Sequence, residues 1–599
     1  AAQGHVDVDS IAAYRWDTVQ GGFVEIPVQV DERAPYFLAN ANSDFSVYSG
    51  TDPELSYVWE NADSHSWGFE SWMMVGGVCE REYPPSLGPV PDPVAGLDDD
   101  DEIVFMASDA GPPAAALAFP GDWQAVQMVH VIDPLNPAAL RVVYLVRKPG
   151  GSSFTAASGY VDYQREEDAD QWIDRSLFTS DDPEKLGTSN TGYGANLSGT
   201  VCPDGTAASQ KPSSDRFPRD GITVQTETYR FQASGRWMKR DLRIRPPEAA
   251  ISNPADWDSR PDLIDRWKGR AFQQSPDSVI SLVGFEDEQV NWEANSALIG
   301  ERCGPVRCLR EVWGADSGTN VTKTEAFYRD LITYQYRVRV HPIPPDGLYT
   351  SWDYNREAML PTAVEQLAGV QAGRYYTALR PQGVPIDGIN DDFGNVDGYA
   401  PLPILECVGD GGPQPPASSG RCPAFFDAAD PTFNVPLAFD NWEQVSGKGD
   451  SGSLVYSFEL VGLTSLANPL VVPYYRDDAC LDDGTGDNPV PRPFPGESYD
   501  WSNGAVRAAY DAEAGRALDY SGQNFVDCTA RQGAHGSHGV HYFVTHDSDN
   551  AFSPLATTEI DARQWQFIVP SAQPRNLGEP YANNVRVPLV VQGIPLSLP

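Results

Sequence analysis

The segment TYQYRVRVHPI (333–343) decides the fold class, because polar and apolar side chains alternate along its length. Such alternation is typical of a β-strand with one buried face. One face carries Gln335, Arg337, Arg339 and His341, and the opposite face carries Tyr334, Tyr336, Val338 and Val340. A face with two arginines and a histidine is too costly to bury dry, so it must meet water, carboxylates of its own chain or an anionic ligand.

Similar short runs recur on both sides of this segment, separated by turns rich in the 53 glycines and 51 prolines of the chain. The clearest are FVEIPVQV (23–30), EIVFMA (102–107), AVQMVHVI (125–132), RVVYLV (141–146), GSLVYSFELVGL (452–463) and HYFVTH (541–546). Helical patterns are few: DADQWIDRSLF (168–178), PTAVEQLAGV (361–370) and AVRAAYDAEAGRAL (505–518). The pattern predicts an all-β protein of large antiparallel β-sandwich domains with a few short surface helices.

Polar stretches rich in glycine, serine and proline at 206–221 and 409–420 divide the 599 residues into three parts. We expect an N-terminal β-rich domain (1–215), a central β-sandwich with a candidate cleft (216–410) and a C-terminal β-rich domain with a histidine-rich strand (411–599). The charge distribution supports a distinct middle. Residues 236–340 hold 16 basic and 16 acidic side chains, which leaves 42 − 16 = 26 basic and 84 − 16 = 68 acidic ones elsewhere.

The net charge of −42 argues against nucleic acid and against an anionic membrane surface as partners. No run approaches the roughly 18 apolar residues of a membrane span. The start AAQGHV is typical of a chain whose signal peptide has been removed. Eight cysteines without a CxxC pair favour disulfides in an oxidising compartment, so we expect a secreted, extracellular protein. Close spacing predicts the pairs Cys303–Cys308 and Cys407–Cys422, which leaves Cys79–Cys202 and Cys480–Cys528.

The central segment holds the candidate for organic chemistry. Arginines, a histidine, carboxylates and aromatics on a broad sheet are groups that a sugar-binding cleft uses, and paired carboxylates also perform glycoside hydrolysis. The candidate residues are Arg337, Arg339, His341 and Glu293. The alternative is a cross-strand arginine–glutamate ladder that only stabilises the sheet.

Four of the eight histidines fall within GAHGSHGVHYFVTHDSD (533–549). Neutral imidazoles bind Cu, Zn or Fe, and three converging ligands make a competent site. Strand alternation puts His541 and His546 on opposite faces, so we expect His535, His538 and His541 as the ligand set. The alternative is that these histidines cap turns and bond to backbone at the entrance of a strand.

Acidic turns suggest calcium, which takes six to eight oxygen ligands. HDSDN (546–550) offers Asp547 and Asp549, DDACLDDGTGDN (477–488) offers Asp482, Asp483 and Asp487, and GLDDDDE (96–102) is similar. Each turn taken singly is also compatible with a solvated acidic loop. Together they predict at least one Ca²⁺ site.

The fragment GDSGSLV (449–455) resembles the nucleophile loop of trypsin-like serine proteases. The resemblance implies Ser451 as nucleophile, with a histidine base and an aspartate earlier in the chain. It covers seven residues. Ser453 stands where that family has a second glycine, and the upstream histidines lack the family's usual context.

The leading hypothesis is a secreted carbohydrate-active or sugar-binding β-sandwich protein with structural calcium and a polysaccharide partner. The first alternative is a secreted metalloprotein or oxidoreductase that uses the His535–His546 cluster. The second is a non-catalytic extracellular or cell-surface structural protein, for which the sequence leaves self-assembly open. The sequence leaves open whether the protein is an enzyme.

Overall fold

The structure is a computed structural model of the full chain. It describes residues 6–37, 53–59, 71–75, 78–82, 92–94, 96–165, 172–174, 216–218, 221–233, 239–247, 254–270, 297–316, 319–340, 348–378, 380–386, 393–394, 442–460, 470–476, 537–543 and 558–598.

In its described residues, the N-terminal third contributes ten strands and three short 3-10 helices. The strands are β1 (Ile11–Asp17), β2 (Gly22–Ile26), β3 (Gln29–Asp31), β4 (Arg33–Phe37), β5 (Pro53–Tyr57), β6 (Ser71–Val75), β7 (Val78–Glu82), β8 (Glu102–Val104), β9 (Ala125–Ile132) and β10 (Arg141–Arg147). The 3-10 helices are Val8–Ser10, Ala107–Asp109 and Ala156–Ser158.

The described segments that follow add fifteen strands and three short helices. The strands are β11 (Asp162–Arg165), β12 (Trp172–Asp174), β13 (Arg216–Pro218), β14 (Ile222–Gln225), β15 (Tyr229–Ala233), β16 (Lys239–Ile244), β17 (Ile264–Arg270), β18 (Ala297–Cys303), β19 (Cys308–Asp316), β20 (Thr319–Phe327), β21 (Leu331–Val340), β22 (Leu348–Tyr354), β23 (Arg374–Thr377), β24 (Arg380–Pro385) and β25 (Phe393–Gly394). The helices are α1 (Pro254–Asp258), α2 (Arg356–Met359) and α3 (Ala363–Leu367).

The described residues of the C-terminal part form six strands and one longer helix. The strands are β26 (Trp442–Ser446), β27 (Ser453–Leu460), β28 (Leu470–Arg476), β29 (Ser537–Phe543), β30 (Thr558–Val569) and β31 (Val590–Leu596). The helix is α4 (Gly578–Arg586). A search of the described residues for a helix able to cross a membrane finds none.

The strands form antiparallel sheets in every pairing of the described residues, which confirms the predicted all-β antiparallel fold. The largest sheet that the described residues form has nine strands in the order β18-β19-β20-β21-β30-β27-β26-β23-β24. Two five-stranded sheets have the orders β17-β22-β29-β28-β25 and β2-β1-β10-β9-β31, and a four-stranded sheet has the order β11-β14-β15-β16. Two-stranded pairs are β3-β8, β4-β5, β6-β7 and β12-β13.

The main core lies where the nine-stranded sheet faces the sheet that contains β22 and β29. Tyr334 and Tyr456 of the large sheet pack against Trp352, with ring centroids 5.8 and 6.0 Å apart. The four-stranded sheet joins the same core, because Phe231 packs against Phe327 at 5.5 Å. The two facing sheets therefore form a sandwich.

Strand β21, which contains most of TYQYRVRVHPI, has the two faces that its alternation predicts. Tyr334 and Tyr336 are buried in the core, whereas Gln335 and Arg337 are half-buried on the opposite face of the sheet. Strand β30 pairs with it along its full length, and β20 pairs with it from Ile332 to Val340. The segment therefore fixes which face of the nine-stranded sheet is the core.

A buried ion-pair network joins the N-terminal strands to the nine-stranded sheet. Asp31, which is fully buried, accepts from Arg302 Nε at 3.1 Å and from Arg307 Nε at 2.9 Å. Arg307 also pairs with Glu102 at 2.5 Å. A buried charge that loses its partner is strongly destabilising. These contacts therefore hold the strands that carry Asp31 and Glu102 against the β18–β19 hairpin that carries Arg302 and Arg307. Strands that precede and follow residue 215 share a sheet, and so do strands that precede and follow residue 410. The division of the chain into three domains stays a prediction.

The disulfide prediction is confirmed for Cys303 and Cys308, which close the turn between β18 and β19. Every other predicted pair includes a cysteine outside the described residues.

Of the predicted helices, PTAVEQLAGV (361–370) contains α3, whose Thr362 forms a capping box with Glu365. The prediction for 168–178 is wrong over its described residues, because Trp172–Asp174 is a strand paired with β13. Long-range pairing there overrides the local helical period. The segment 505–518 lies outside the described residues.

Candidate functional site

The outer face of the nine-stranded sheet, opposite the core, carries a group of polar and aromatic side chains that we call the outer platform. Its strand β30 alternates between buried Ala562, Gln564 and Gln566 and the half-buried outward residues between them. The platform consists of Gln335, Arg337, Glu459, Asp561, Arg563 and Trp565.

Strand register sets the spacing of the platform. Arg563 lies between Gln335 of β21 and Glu459 of β27, and Arg337 lies opposite Asp561. Directly opposed residues have Cβ atoms about 5 Å apart. The platform is therefore continuous across three adjacent strands.

The platform has a wall at each end. On one side β5 contacts the sheet, where Ser56 Oγ donates to both oxygens of the buried Glu311 carboxylate at 3.2 and 3.1 Å. Arg337 Nη1 donates to the Leu55 carbonyl at 3.2 Å, which fixes this arginine against the wall.

Helix α4 forms the other wall. Trp442 Nε1 donates to Glu579 at 3.1 Å, and the rings of Phe567 and Tyr581 lie 5.0 Å apart. Gly578 approaches Trp442 so closely that an added Cβ would lie 2.0 Å from its ring. The helix is therefore packed tightly on this end of the sheet.

The polar groups of the platform differ in how fully they are bonded. Gln335 Nε2 donates to both oxygens of Asp561, at 3.1 and 2.9 Å. Arg563, by contrast, makes no hydrogen bond or ion pair with any described residue, and its Nε is buried. Glu459 beside it is exposed. Arg563 is thus a half-buried cation without a protein partner in the described part of the chain.

Of the residues predicted for the cleft, the structure places Arg337 on the platform. Arg339 belongs to the same strand, in register with Asn320 and Glu559. His341 and Glu293 lie outside the described residues. Arg563, Trp565 and Asp561 were missed at the level of sequence; the alternation DARQWQF (561–567) carries the signal that they share a face.

His538, a predicted metal ligand, lies in the core between the two facing sheets. Its Nδ1 is 2.7 Å from the Tyr354 hydroxyl, and its Nε2 is 3.9 Å from Oε2 of Glu443. Burial lowers the pKa of this imidazole to about 3. His541 belongs to the same strand, in register with Tyr349 and Val472, and His535 lies outside the described residues. Transition-metal binding by this segment stays a prediction.

The acidic turn at 96–102 brings three carboxylates together in the described residues: ligand oxygens of Asp98, Asp100 and Asp101 lie within 4.8 Å of one another. A hydrogen bond with Asp98 raises the pKa of Asp100, as does burial to a smaller extent. The predicted calcium ligands Asp482, Asp483, Asp487, Asp547 and Asp549 lie outside the described residues. Calcium binding stays a prediction.

Ser451, the residue that resembles a protease nucleophile, is buried in a tight turn before β27. Its hydroxyl donates to the Lys448 carbonyl at 2.6 Å, and Gly449 and Gly452 have φ of 51° and 99°. Arg260 Nη1 holds the neighbouring Asp450 at 3.3 Å. These contacts account for GDSG as turn chemistry, because glycine adopts positive φ at little steric cost.

Comparison with known protein families finds no matching family model, and comparison with curated proteins finds no match.

Proposed function

We propose that the protein is a secreted, carbohydrate-binding β-sandwich protein that holds a polysaccharide on the outer platform. The observation that carries this proposal is Arg563, a half-buried guanidinium without a partner among the described residues, which lies on the same face as Trp565. A half-buried cation is stabilised when an external acceptor replaces the water it has lost. Sugars supply such acceptors as hydroxyl and carboxylate oxygens.

The other platform residues complement this chemistry. The indole of Trp565 offers an apolar face to a pyranose ring, and Gln335 with Asp561 offers a donor and an acceptor to hydroxyls. The guanidinium forms paired hydrogen bonds with a carboxylate, which favours sugars that carry uronic acids. The proposal is one of binding; these groups support no particular reaction.

Secretion and structural calcium belong to the same proposal. The disulfide Cys303–Cys308 supports an oxidising compartment, and the triad of Asp98, Asp100 and Asp101 supports a site for a hard cation.

The proposal is tested by measuring the binding of the unmodified protein and of two variants to immobilised neutral and uronate-containing polysaccharides. The test variant is Arg563→Gln. The control is Arg147→Gln, because Arg147 is exposed on β10. Hydrogen bonds to charged groups contribute about 1.5–3 kcal/mol, so Arg563→Gln should weaken binding to a uronate polymer by about 10- to 100-fold. The control should bind like the unmodified protein. Absence of binding to every polysaccharide, or equal binding by both variants, would contradict the proposal.

A further inference from the structure

Strand β31 lies at the end of a five-stranded sheet, and one of its two edges has no partner strand among the described residues. It pairs with β9 over all seven of its residues, from Val590 opposite Ile132 to Leu596 opposite Val126. This sheet is not the one that carries the outer platform. We call the unpaired side of β31 the open edge. The backbone N–H and C=O groups along such an edge form a template for a further strand.

Apolar side chains are exposed where β31 begins. Leu589, Val590 and Val591 are consecutive, and their exposed fractions are 45%, 50% and 59%. Because successive side chains of a strand point to opposite faces, Val590 and Val591 expose apolar surface on both faces of the sheet. Single exposed apolar residues are ordinary on protein surfaces, whereas an apolar run on an edge strand is typical of a surface that pairs with another chain.

The absence of charge distinguishes β31 from the other edge strands of the described sheets. Edge strands commonly carry charged side chains or a β-bulge, which prevent pairing with another chain. In the four sheets of four or more strands that the described residues form, every end strand contains a charged residue except β31 and the two-residue β25. Strand β31 also pairs with β9 without a register shift. Residues 587–599 contain no charged side chain.

We propose that the open edge of β31 binds β31 of a second copy of this chain, antiparallel, so that two five-stranded sheets join into one of ten strands. Each copy has a net charge of −42, so two copies repel one another over most of their surface. Along β31 no like charges oppose each other. A charged strand of a different protein would find no opposite charge on β31, which favours the uncharged strand of a second copy as the occupant.

The sequence of β31 is complementary to itself about Gln592. In an antiparallel pair centred on this residue, Val590 lies opposite Ile594 of the second copy. Val591 lies opposite Gly593, and Gln592 lies opposite its own counterpart. Apolar residues therefore meet apolar residues or glycine, and the two glutamine amides donate to and accept from each other.

The position of Pro595 agrees with this register. Proline has no N–H, and within sheets it occurs on edge strands where its nitrogen faces the open side. Val591 and Gly593 have the same alternation as Pro595, so their N–H and C=O groups face the open edge as well. These two residues exchange backbone hydrogen bonds with the second copy, and Pro595 lies beyond them.

Analytical ultracentrifugation of the unmodified protein from micromolar to millimolar concentrations tests the proposal. The ionic strength is about 0.15 M, where the Debye length of about 8 Å screens the repulsion between the copies. We expect a monomer–dimer equilibrium. A protein that is monomeric at every concentration would overturn the proposal, and this includes the case in which the open edge binds a strand of a different protein.

The variants Gln592→Lys and Gln592→Glu test the register. Gln592 is exposed, so a charge at this position leaves the fold of the single chain intact. In a pair of identical variants two like charges lie directly opposite each other, so each variant should dimerise at least about tenfold more weakly. An equimolar mixture of the two variants should dimerise again, because opposite charges then face each other.

The matched control is Gln20→Lys, which adds the same charge at an exposed position in the turn between β1 and β2, at the other end of the same sheet. It should dimerise like the unmodified protein. Undiminished dimerisation of Gln592→Lys alone, or a mixture of Gln592→Lys and Gln592→Glu that stays monomeric, would overturn the proposal.

Discussion

Arg563 and Glu443 show what alternation predicts at single residues and what it does not. Alternation along 333–343 assigns Tyr334 to the core and Gln335 to the outer face, as the structure has them, and the same rule places Arg563 outward. Alternation does not assign Glu443 to a face, because all five residues of β26 are buried. The core covers one face of this strand and α4 covers the other. The contact of Glu443 with His538 depends on a strand 95 residues further along the chain, which no local pattern encodes.

The acidic turn allows a prediction at the residue scale. If a calcium ion bridges Asp98, Asp100 and Asp101, it binds the native state and raises the melting temperature by mass action. We expect excess chelator to lower the melting temperature of the unmodified protein and of Asp99→Asn, whose exposed carboxylate is outside the triad. Asp100→Asn should lose most of this response. An identical response to chelator in both variants would remove the triad as the site.

At the scale of elements, the sequence predicts the type of most strands but not their partners. The runs at 125–132, 141–146 and 452–463 are strands in the structure, because their apolar periodicity reflects burial on a sheet. Three consecutive residues, Trp172–Asp174, form a strand inside a stretch with a helical period, since pairing with β13 decides their conformation. Local periodicity reports a buried face and carries no information on which distant strand covers it.

Helix α4 gives a prediction at this scale. Gly578→Ala would place a methyl group 2.0 Å from the Trp442 ring, which is buried and bonded to Glu579, so the helix must shift away from the sheet. Overpacking of this kind costs about 1–3 kcal/mol. Chemical denaturation should therefore show reduced stability.

The matched control is Gly22→Ala, at a position with no atom within 4 Å of the added Cβ. Its stability should change little. Equal stability of the two variants would contradict the close contact between α4 and the Trp442 ring of the sheet.

At the scale of the whole molecule, the nine-stranded sheet is assembled from segments that span residues 297–569. The outer platform exists only in that assembly, because Gln335, Glu459 and Arg563 come from three distant strands. The sequence predicted the polar face that contains Arg337, yet the residues beside it depend on the pairing of β21 with β30 and of β30 with β27. The proposed sugar-binding face therefore depends on the assembly of β21, β27 and β30 into one sheet.

The most direct test of the outer platform as a sugar-binding face is isothermal titration of Trp565→Ala and Trp565→Phe. The ligand is a polysaccharide that the unmodified protein binds. The phenyl ring keeps an apolar face for stacking, whereas alanine removes it, and aromatic contacts of this kind contribute about 0.5–1.5 kcal/mol beyond the area they bury. We predict that Trp565→Ala weakens binding at least tenfold while the protein remains folded at the temperature of the titration, and that Trp565→Phe retains most of the affinity. Unchanged affinity in Trp565→Ala would contradict the outer platform as the binding face.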